Sequence, residues 1–389
     1  MNGNNPNAYE TGTDSDRIER ALNYAKENGL PLEITARNAA DGRTHWLIDR
    51  AICLPGDTEM RVVDCKIKLS DLCRDNFIRS SNCGMGIDPI VPVSGIRILG
   101  IGQAVLEGAD HPRATGDSAK TIGVQTYGTD AGKAGESEKG DWRNIGILLA
   151  EVSDFTLENL SIVNSHSWAV SLEYCRHGLV KDLRFFSYGT MYIDGKPRVI
   201  LNQDGLDLRR GCRHIRIENI SGCTGDDLIA LTAISYPGAP EKAPGELQSN
   251  MITGNRPVRE EDNVCDIEIR EVHGYSAGNC QIIRFLNSCG IRMHDILLEN
   301  LEDCSPAYLY DHAAVRIGDS NPRWGGVTPL GDTWNFTIRN IISNAKNAIL
   351  IAGSLADSSI SGVKLRSEGL EKIKITSGPE YVKNVDFAP

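Results

Sequence analysis

Residues 213–220 read Arg213-His214-Ile215-Arg216-Ile217-Glu218-Asn219-Ile220, a run in which polar and apolar side chains alternate. A period of two residues is typical of a β-strand that buries one face. Similar short segments recur about every 20 to 45 residues, a spacing typical of the stacked coils of a solenoid. The sequence therefore predicts an all-β fold, a parallel β-helix whose inward Ile and Leu side chains form one core. The other segments are Arg61–Leu69, Gly95–Gly100, Phe155–Ile162, Cys265–Ile269, Met293–Asn300, Asn335–Ile341 and Ser359–Leu365.

One helix is predicted near the start of the chain. Asp14-Ser15-Asp16 supplies capping residues and Asn28-Gly29 supplies a stop signal. Between them, four apolar residues follow helical spacing: Ile18, Ala21, Leu22 and Ala25. We expect residues 1–30 to form a short N-terminal capping helix over the exposed first coil, and residues 1–389 to form a single β-helix domain, because no linker divides the chain.

Three stretches rich in Gly, Pro and charged residues interrupt the repeating pattern: residues 109–143, 189–203 and 235–262. Long loops on a rigid scaffold are often functional. We expect these three stretches to be loops or insertions near a cleft.

Composition limits the choice of partner and compartment. The net charge of −11 argues against nucleic acid or an anionic membrane as a partner. Eleven cysteines without Cys-x-x-Cys pairs fit neither a disulfide framework nor a zinc site, and the start of the chain carries no signal-peptide pattern. We therefore expect a cytoplasmic protein, or an exported one whose signal peptide has been removed. The oligomeric state stays open, with a homo-oligomer as one alternative.

Two short stretches carry the candidate reaction centre, Asn202-Gln203-Asp204-Gly205-Leu206-Asp207 and Gly225-Asp226-Asp227-Leu228-Ile229-Ala230-Leu231. They lie one coil apart, and coils stack about 4.8 Å apart. Asp204 is therefore expected beside Asp227. Like charges at that separation raise at least one carboxyl pKa, which leaves a protonated acid beside ionised bases, as glycoside hydrolysis requires. The structural alternative is that Asp and Asn side chains only bond to local backbone at coil turns.

With Asn164-Ser165-His166-Ser167-Trp168 and Cys175 upstream, these motifs resemble the polygalacturonase family of glycoside hydrolases, family 28, within the pectin-lyase-like superfamily. The resemblance extends from the coil of Trp168 through Ala314-Val315-Arg316-Ile317. It implies a right-handed parallel β-helix and an inverting hydrolase without metal or other cofactor. By position, Asp226 would be the general acid, and Asp204 with Asp227 would hold and activate the attacking water.

The chain departs from the family pattern at two places. Gly278-Asn279-Cys280-Gln281-Ile282-Ile283-Arg284 stands where the family has Gly-His-Gly, and Arg316-Ile317-Gly318 stands where it has Arg-Ile-Lys. A site specific for galacturonate would be expected to keep both cations, because the carboxylate of the bound sugar needs paired positive charge when it is buried. Since the lysine is missing, we expect a carbohydrate substrate that need not be galacturonate.

A stacking of Ile229, Ile283 and Val315 predicts the neighbours of the acids. Gln281 would then lie in the column of Asp227, and two arginines would lie in the column of Asp207. The substrate-binding candidates are Arg316, Arg284, Gln281, Asp207, Trp168, His312 and Glu173.

Each of these candidates also has a structural interpretation. His312 falls in the Asp226 column, but a single His at a turn is more often structural. Trp168 either stacks on a sugar or is buried between coils. Glu173 is the weaker candidate on the same face, and the two arginines could simply neutralise the acids.

Three other functions stay open at this point. A β-helix polysaccharide lyase would use an Arg or Lys base, often beside calcium. An intramolecular glycosyl (fructo)transferase would release a cyclic product without adding water; Arg284-Phe285-Leu286-Asn287-Ser288-Cys289 is faintly similar to such enzymes. A non-catalytic carbohydrate-binding β-helix is the third.

Overall fold

The computed structural model describes residues 2–38, 41–73, 75–112, 142–235, 241–247, 249–306 and 313–388. Its one α-helix, α1, spans Asp14–Glu27. Short 3₁₀ turns occupy Pro6–Ala8, Trp142–Asn144, Glu260–Asp262, Pro322–Trp324 and Pro379–Tyr381.

All other regular structure is β-strand. In chain order the strands are β1 (Leu32–Ile34), β2 (Trp46–Ile48), β3 (Ile52–Leu54), β4 (Thr58–Leu69), β5 (Ile78–Ser80), β6 (Val93–Ser94), β7 (Ile96–Glu107), β8 (Ile147–Ala150), β9 (Val152–Glu158), β10 (Ser161–Val163), β11 (Val170–Glu173), β12 (Arg176–Lys181), β13 (Arg184–Phe186), β14 (Thr190–Ile193), β15 (Lys196–Val199), β16 (Leu206–Leu208), β17 (Arg213–Thr224), β18 (Ile229–Ala233), β19 (Val264–Ser276), β20 (Ile283–Asn287), β21 (Met293–Asp303), β22 (Ala313–Ile317), β23 (Thr333–Ser343), β24 (Asn347–Ile351), β25 (Leu355–Leu365), β26 (Glu371–Ile375) and β27 (Val382–Phe387).

Two long parallel sheets run along the molecule. In the first sheet, neighbouring strands follow the order β1-β4-β7-β10-β13-β17-β19-β21-β23-β25-β27, and four further strands pair beside this path. In the second sheet the order is β3-β5-β8-β11-β16-β18-β20-β22-β24-β26. Because each coil gives a strand to both sheets, consecutive coils stack. The fold is the expected right-handed parallel β-helix.

The core consists of side chains stacked from coil to coil. Ile215 pairs with Ile267, Ile267 with Ile296 and Ile296 with Phe336, and all four are buried. One hydrophobic cluster runs from Ile18 to Val363. The alternating segments predicted from the sequence all overlap strands of the first sheet.

Asparagine ends several of these segments for a conformational reason. Asn159, Asn219, Asn300 and Asn340 all adopt positive φ, between 53° and 61°. This left-handed conformation bends the chain between two straight pieces, and Asn tolerates it better than most residues with a side chain.

Helix α1 confirms the predicted N-terminal helix with one correction at its start. The N-cap is Thr13, whose hydroxyl accepts from the backbone N–H of Asp16, while the Asp16 side chain accepts from the N–H of Thr13. Asp14 is therefore inside the helix. Ile18, with the other three apolar residues of the predicted stripe, is buried against the first coils.

The interrupting stretches differ from simple loops. Within residues 189–203, β14 and β15 form an antiparallel hairpin around Asp194-Gly195, both at positive φ. An Asp-Gly pair between two strand-forming runs is a hairpin signal, so this insertion is a β-hairpin and not an irregular loop. Of residues 109–143, positions 113–141 lie outside the described residues, as do 236–240 and 248 of the third stretch.

All eleven cysteines lie within the described residues, and each is a free thiol. Among those same residues no helix is both long and apolar enough to cross a membrane.

Candidate active site

Four strands of the second sheet, β16, β18, β20 and β22, carry the predicted site residues in columns. Leu206 pairs with Ile229, so the positions two residues earlier, Asp204 and Asp227, are neighbours in the stack. The N–H of Gly205 donates to the carbonyl oxygen of Asp227 at 3.0 Å. The predicted juxtaposition of these two acids is confirmed.

The column assignments of Gln281 and of the two arginines also hold. Ile229 pairs with Ile283, which places Gln281 in the column of Asp227. Asp207 pairs with Ala230, Ala230 with Arg284, and Arg284 with Arg316.

A cavity with about 70 Å³ of space for water lies over these columns. It collects four acidic side chains beside two arginines and two tryptophans. Its lining is Trp168, Asn202, Asp204, Asp207, Arg209, Asp226, Asp227, Thr232, Ile234, Arg284, Leu286 and Trp324.

The adjacent acids Asp226 and Asp227 sit on a tight turn. The N–H of Asp226 donates to the Gln203 carbonyl oxygen at 3.2 Å, and the Thr224 hydroxyl donates to the Asp226 carbonyl oxygen at 2.8 Å. The N–H of Asp227 donates to Oδ1 of Asp226 at 3.1 Å. Gly225 allows this turn, since a Cβ there would lie 2.5 Å from the Cα of Gly189.

Asp227 is a buried carboxyl group with a strongly altered proton affinity. Burial, and to a smaller degree the charge of Asp226, raises the pKa of Asp227 to about 7, against the opposing influence of Arg284 and of the N–H of Gln281. That N–H donates to Oδ1 of Asp227 at 2.8 Å, and Nη1 of Arg284 lies 3.9 Å from Oδ2. A raised carboxyl pKa was predicted within this group of acids, and one is found at Asp227.

Asp207 is the second acid with a raised pKa. Burial raises the pKa of Asp207 well above its usual range; Arg209 opposes this, and the charges of Asp227 and Asp226 add to it. The hydroxyl of Thr232 donates to Oδ1 of Asp207 at 3.4 Å, and Oδ2 is buried without a hydrogen-bond partner. Burial therefore favours the neutral form of Asp207, a form that can donate a hydrogen bond.

The two predicted arginines share one acid that the sequence did not single out. Asp319 Oδ2 lies 2.7 Å from Nη2 of Arg284 and 2.9 Å from Nη2 of Arg316. Nη1 of Arg284 also donates to Oε1 of Gln281 at 3.3 Å. Arg284 lines the cavity, whereas Arg316 and Gln281 do not.

Glu173 does not fit the substrate-binding role predicted for it. It is fully buried, and its carboxylate accepts from the N–H of Ile252 at 3.1 Å and from the N–H and hydroxyl of Thr253 at 3.0 and 2.7 Å. Glu173 therefore anchors the segment after residue 248 to the coil, and it does not line the cavity. His312, another predicted binding residue, lies outside the described residues.

Trp168 is largely buried, at 6% exposure, yet it lines the cavity. The guanidinium carbon of Arg209 lies 4.4 Å from the centroid of its ring. Trp168 thus packs in the protein and also reaches the cavity wall, and its stacking on a sugar stays a prediction.

Cys280 takes a position beside the acids that the sequence did not predict. Its Sγ and one carboxylate oxygen each of Asp226 and Asp227 lie within 4.8 Å of one another. Burial, with the charges of these two acids, raises the pKa of the Cys280 thiol far above its usual range. The neutral thiol form of Cys280 is therefore favoured beside these two acids.

Sequence reasoning missed Arg209, Trp324 and Asp319. Arg209 follows Asp207 by two residues, so strand alternation alone places both on the same face. Trp324 and Asp319 lie in the connection between β22 and β23, where no periodic pattern indicates their direction.

No protein-family profile and no curated protein sequence matches the chain. Solved structures do. An exopolygalacturonase from Thermotoga maritima is similar with a TM-score of 0.56, 13% identity and coverage of 99% of this chain and 91% of that one. A polygalacturonase from Erwinia carotovora has a TM-score of 0.50 and 13% identity, with coverage of 95% of this chain and 95% of that one. A third similar structure is a double-mutant tailspike protein of E. coli bacteriophage HK620 in complex with a pentasaccharide. Its TM-score is 0.52 and its identity 11%, with coverage of 96% of this chain and 62% of that one. At these identities the likeness concerns the backbone, and the chain has the polygalacturonase-like parallel β-helix fold.

Proposed function

We propose that the protein hydrolyses glycosidic bonds of an oligo- or polysaccharide. The observation that carries the proposal is the meeting of Asp204, Asp226 and Asp227 in one cavity, where the pKa of Asp227 is about 7. Acid–base catalysis needs groups that exchange protons near the working pH. Asp204 and Asp227 are buried, which is costly for carboxyl groups that have only structural roles in a turn.

Asp226 and Asp227 are proposed to share one proton near neutral pH. The N–H of Gln281 and the nearby Arg284 favour the ionised form of Asp227. We propose that in the reactive state Asp227 is ionised and the proton lies on Asp226, which gives it to the leaving oxygen. Asp204 and ionised Asp227 then hold and deprotonate the attacking water.

Inversion at the anomeric carbon is part of the proposal. Inverting pairs typically have carboxyl groups about 6.5 to 9.5 Å apart, whereas oxygens of Asp226 and Asp227 lie within 4.8 Å of each other. The water is therefore expected nearer to Asp204 than to the Asp226–Asp227 pair.

The similar structures support a carbohydrate ligand. Two of them are polygalacturonases, and a third was solved with a bound pentasaccharide. The fold alone serves more than one function, so the acid cluster has to carry the argument for hydrolysis.

The test is a screen of the purified protein against neutral and acidic oligosaccharides by mass spectrometry. Hydrolysis gives products that together exceed the substrate by one water. Asp226→Asn is the matched inactive control, and proton NMR of the first product reports its anomeric configuration. Unsaturated products would instead identify a lyase, a cyclic product without added water would identify a transferase, and binding without turnover would identify a carbohydrate-binding protein.

A further inference from the structure

Asp319 is a buried carboxylate that two arginines of adjacent coils share. It is 5% exposed. Its Oδ2 atom lies 2.7 Å from Nη2 of Arg284 and 2.9 Å from Nη2 of Arg316. Charge-assisted contacts of this length are the strong ones among hydrogen bonds. Asp319 therefore fixes both guanidinium groups in place, although it does not itself line the cavity.

The backbone that follows β22 suits this arrangement. Gly318 has φ +72°, and a Cβ at this position would lie 2.4 Å from the Cα of Gly353. The lysine of the family pattern therefore does not fit this turn. The N–H of Asn321 donates to Oδ1 of Asp319 at 2.9 Å, which leaves Oδ2 for the two arginines.

Arg284 lies between two acids and is bonded to only one of them. Its Nη2 pairs with Asp319 at 2.7 Å, whereas its Nη1 lies 3.9 Å from Oδ2 of Asp227. Nη1 instead donates to Oε1 of Gln281 at 3.3 Å, and the guanidinium carbon lies 6.0 Å from the centroid of the Trp324 ring. A hydrogen bond from N–H to oxygen is about 2.7 to 3.2 Å long. The guanidinium is thus held just beyond bonding distance of Asp227.

The other groups around Asp227 do not replace this contact. The titratable and charged groups near its carboxyl group are Asp204, Asp207, Asp226, Cys280, Arg284 and Arg316. The charge of Asp226 raises the pKa of Asp227, and the charges of the two arginines lower it. Asp319 contacts both of these arginines, so its position controls how closely they approach Asp227.

We propose that Asp319 is a positioning residue, which keeps Arg284 away from Asp227 so that the pair Asp226–Asp227 retains its proton at the working pH. This inference rests on the proposed function, because it assigns the residue that prepares the acid pair of that reaction. Without Asp319, Arg284 would pair directly with Asp227 and favour loss of the proton, as an opposite charge close to a carboxyl group does.

The experiment follows the titration of Asp227 in the absence of substrate. Carbon-13 NMR of protein labelled at its aspartate carboxyl groups reports the midpoint, and Asp227→Asn identifies the signal by its absence. We expect Asp319→Asn to lower the midpoint from about 7 by about one pH unit, because Arg284 can then approach Asp227. Asp319→Glu keeps the charge and should restore most of the wild-type value. In an assay of hydrolysis, the falling limb of kcat/KM should move to lower pH by the same amount.

Asp14 offers a matched control for the loss of a shared carboxylate. It is 4% exposed, and its Oδ1 lies 2.9 Å from Nε of Arg37 and 3.7 Å from Nη1 of Arg17. Asp14→Asn should lower Tm, as Asp319→Asn does, because both leave buried arginines without their acid. It should leave the titration of Asp227 unchanged.

A double variant tests whether the effect passes through Arg284. If it does, Asp319→Asn should shift the midpoint less in an Arg284→Gln background than in the wild type. An equal shift in both backgrounds would show that Asp319 acts on Asp227 directly, and would refute the positioning role. An unchanged or raised midpoint in folded Asp319→Asn refutes it as well.

Crystal structures of the wild type decide the question even if Asp319→Asn does not fold. Below and above the titration of Asp227, Arg284 should stay within about 3 Å of Asp319, the length of a hydrogen bond. An Arg284 that leaves Asp319 for ionised Asp227 at the higher pH overturns the proposal.

The positioning role and the hydrolase function fail separately. A lowered midpoint in Asp319→Asn, without products from the wild type, would leave the contact of Asp319 with Arg284 in control of Asp227 and refute hydrolysis. Products from the wild type, with a midpoint that Asp319→Asn does not move, would do the reverse.

Discussion

Nη1 of Arg284 lies 3.9 Å from Oδ2 of Asp227, across the boundary between two stacked coils. The contact is looser than the 2.7 Å pairing of the same arginine with Asp319. Arg284 therefore lowers the pKa of Asp227 through its charge, only partly offsetting the effect of burial, and the carboxyl group stays near 7. In the proposed mechanism this relationship would set the pH range in which Asp226 and Asp227 share a proton.

The rate should depend on pH through this pair. We expect kcat/KM to fall as the pH rises above about 7, because the shared proton is then lost. Arg284→Gln removes a charge that lowers the pKa of Asp227, so the falling limb should move to higher pH. The pH profiles of wild type, Arg284→Gln and the exposed control Arg216→Gln check this, and a limb that stays in place in Arg284→Gln contradicts it.

Stability should depend on pH through Asp227 as well. This carboxyl group ionises near 3.8 in the unfolded chain and near 7 in the folded protein, so the folded state binds more protons in that window. Stability from this group is present below pH 3.8 and is lost as the pH rises to 7. Asp227→Asn should therefore raise Tm at pH 8, by about 1 to 3 °C, with little gain at pH 4. Thermal unfolding at both pH values gives the answer; a lower Tm at pH 8 would mean that the contacts of Asp227 outweigh its burial.

The proton donor can be identified by the leaving group. Asp226→Asn should keep the fold but reduce the rate on a substrate with a poor leaving group by about 10² to 10⁴-fold, the usual contribution of general acid–base catalysis. An activated aryl glycoside needs less protonation and should be partly spared. Asp204→Asn serves as the comparison, because loss of the base should affect both substrates alike. Equal losses for Asp226→Asn would remove it from the acid role.

The turn that carries Asp226 and Asp227 should be sensitive to a side chain added at Gly278 on the next coil. A Cβ at Gly278 would overlap the carbonyl oxygen of Gly225. Gly278→Ala should therefore displace the Asp226 turn and lower kcat at least about tenfold, a loss of transition-state positioning. Gly29→Asn is the control, since Gly29 has φ +62° and open space around it. Circular dichroism separates a displaced turn from unfolding; wild-type kcat in folded Gly278→Ala would contradict the expectation.

Chelation tests the metal-independent mechanism. The proposed hydrolysis uses only carboxyl groups and water, so activity should persist in EDTA. The measurement is informative because Cys280 lies with Asp226 and Asp227 in a group that could hold an ion. Loss of activity in EDTA with rescue by calcium would favour a lyase, while rescue by zinc that Cys280→Ser abolishes would assign the metal to this group.

The sequence predicted the first sheet well because its strands bury one face only. Strand β19, for example, alternates buried and partly exposed residues along most of its length. The second sheet is different. All four residues of β8 are buried, since insertions cover its outer face, and the period of two disappears.

The columns of the site followed from register, which the apolar positions fix. What the sequence did not show was the environment of each carboxyl group. Glu173 accepts hydrogen bonds from Ile252 and Thr253, which lie 79 and 80 residues later in the chain. The pKa of Asp227 likewise results from burial, which raises it, and from Arg284, which lowers it. No local sequence pattern indicates the burial of Asp227 or the position of Arg284.

The pairing of Leu206 with Ile229 also defines which two coils are needed to assemble the acid cluster. All four acids of the cavity come from two adjacent coils, which bring Asp204 next to Asp227. A whole coil gained or lost elsewhere in the rod leaves that neighbourhood intact, because each coil contacts only its neighbours. The heritable unit of the acid cluster is thus a pair of coils, and a graft of those two coils is the smallest transplant that would carry the cluster into a β-helix of another length.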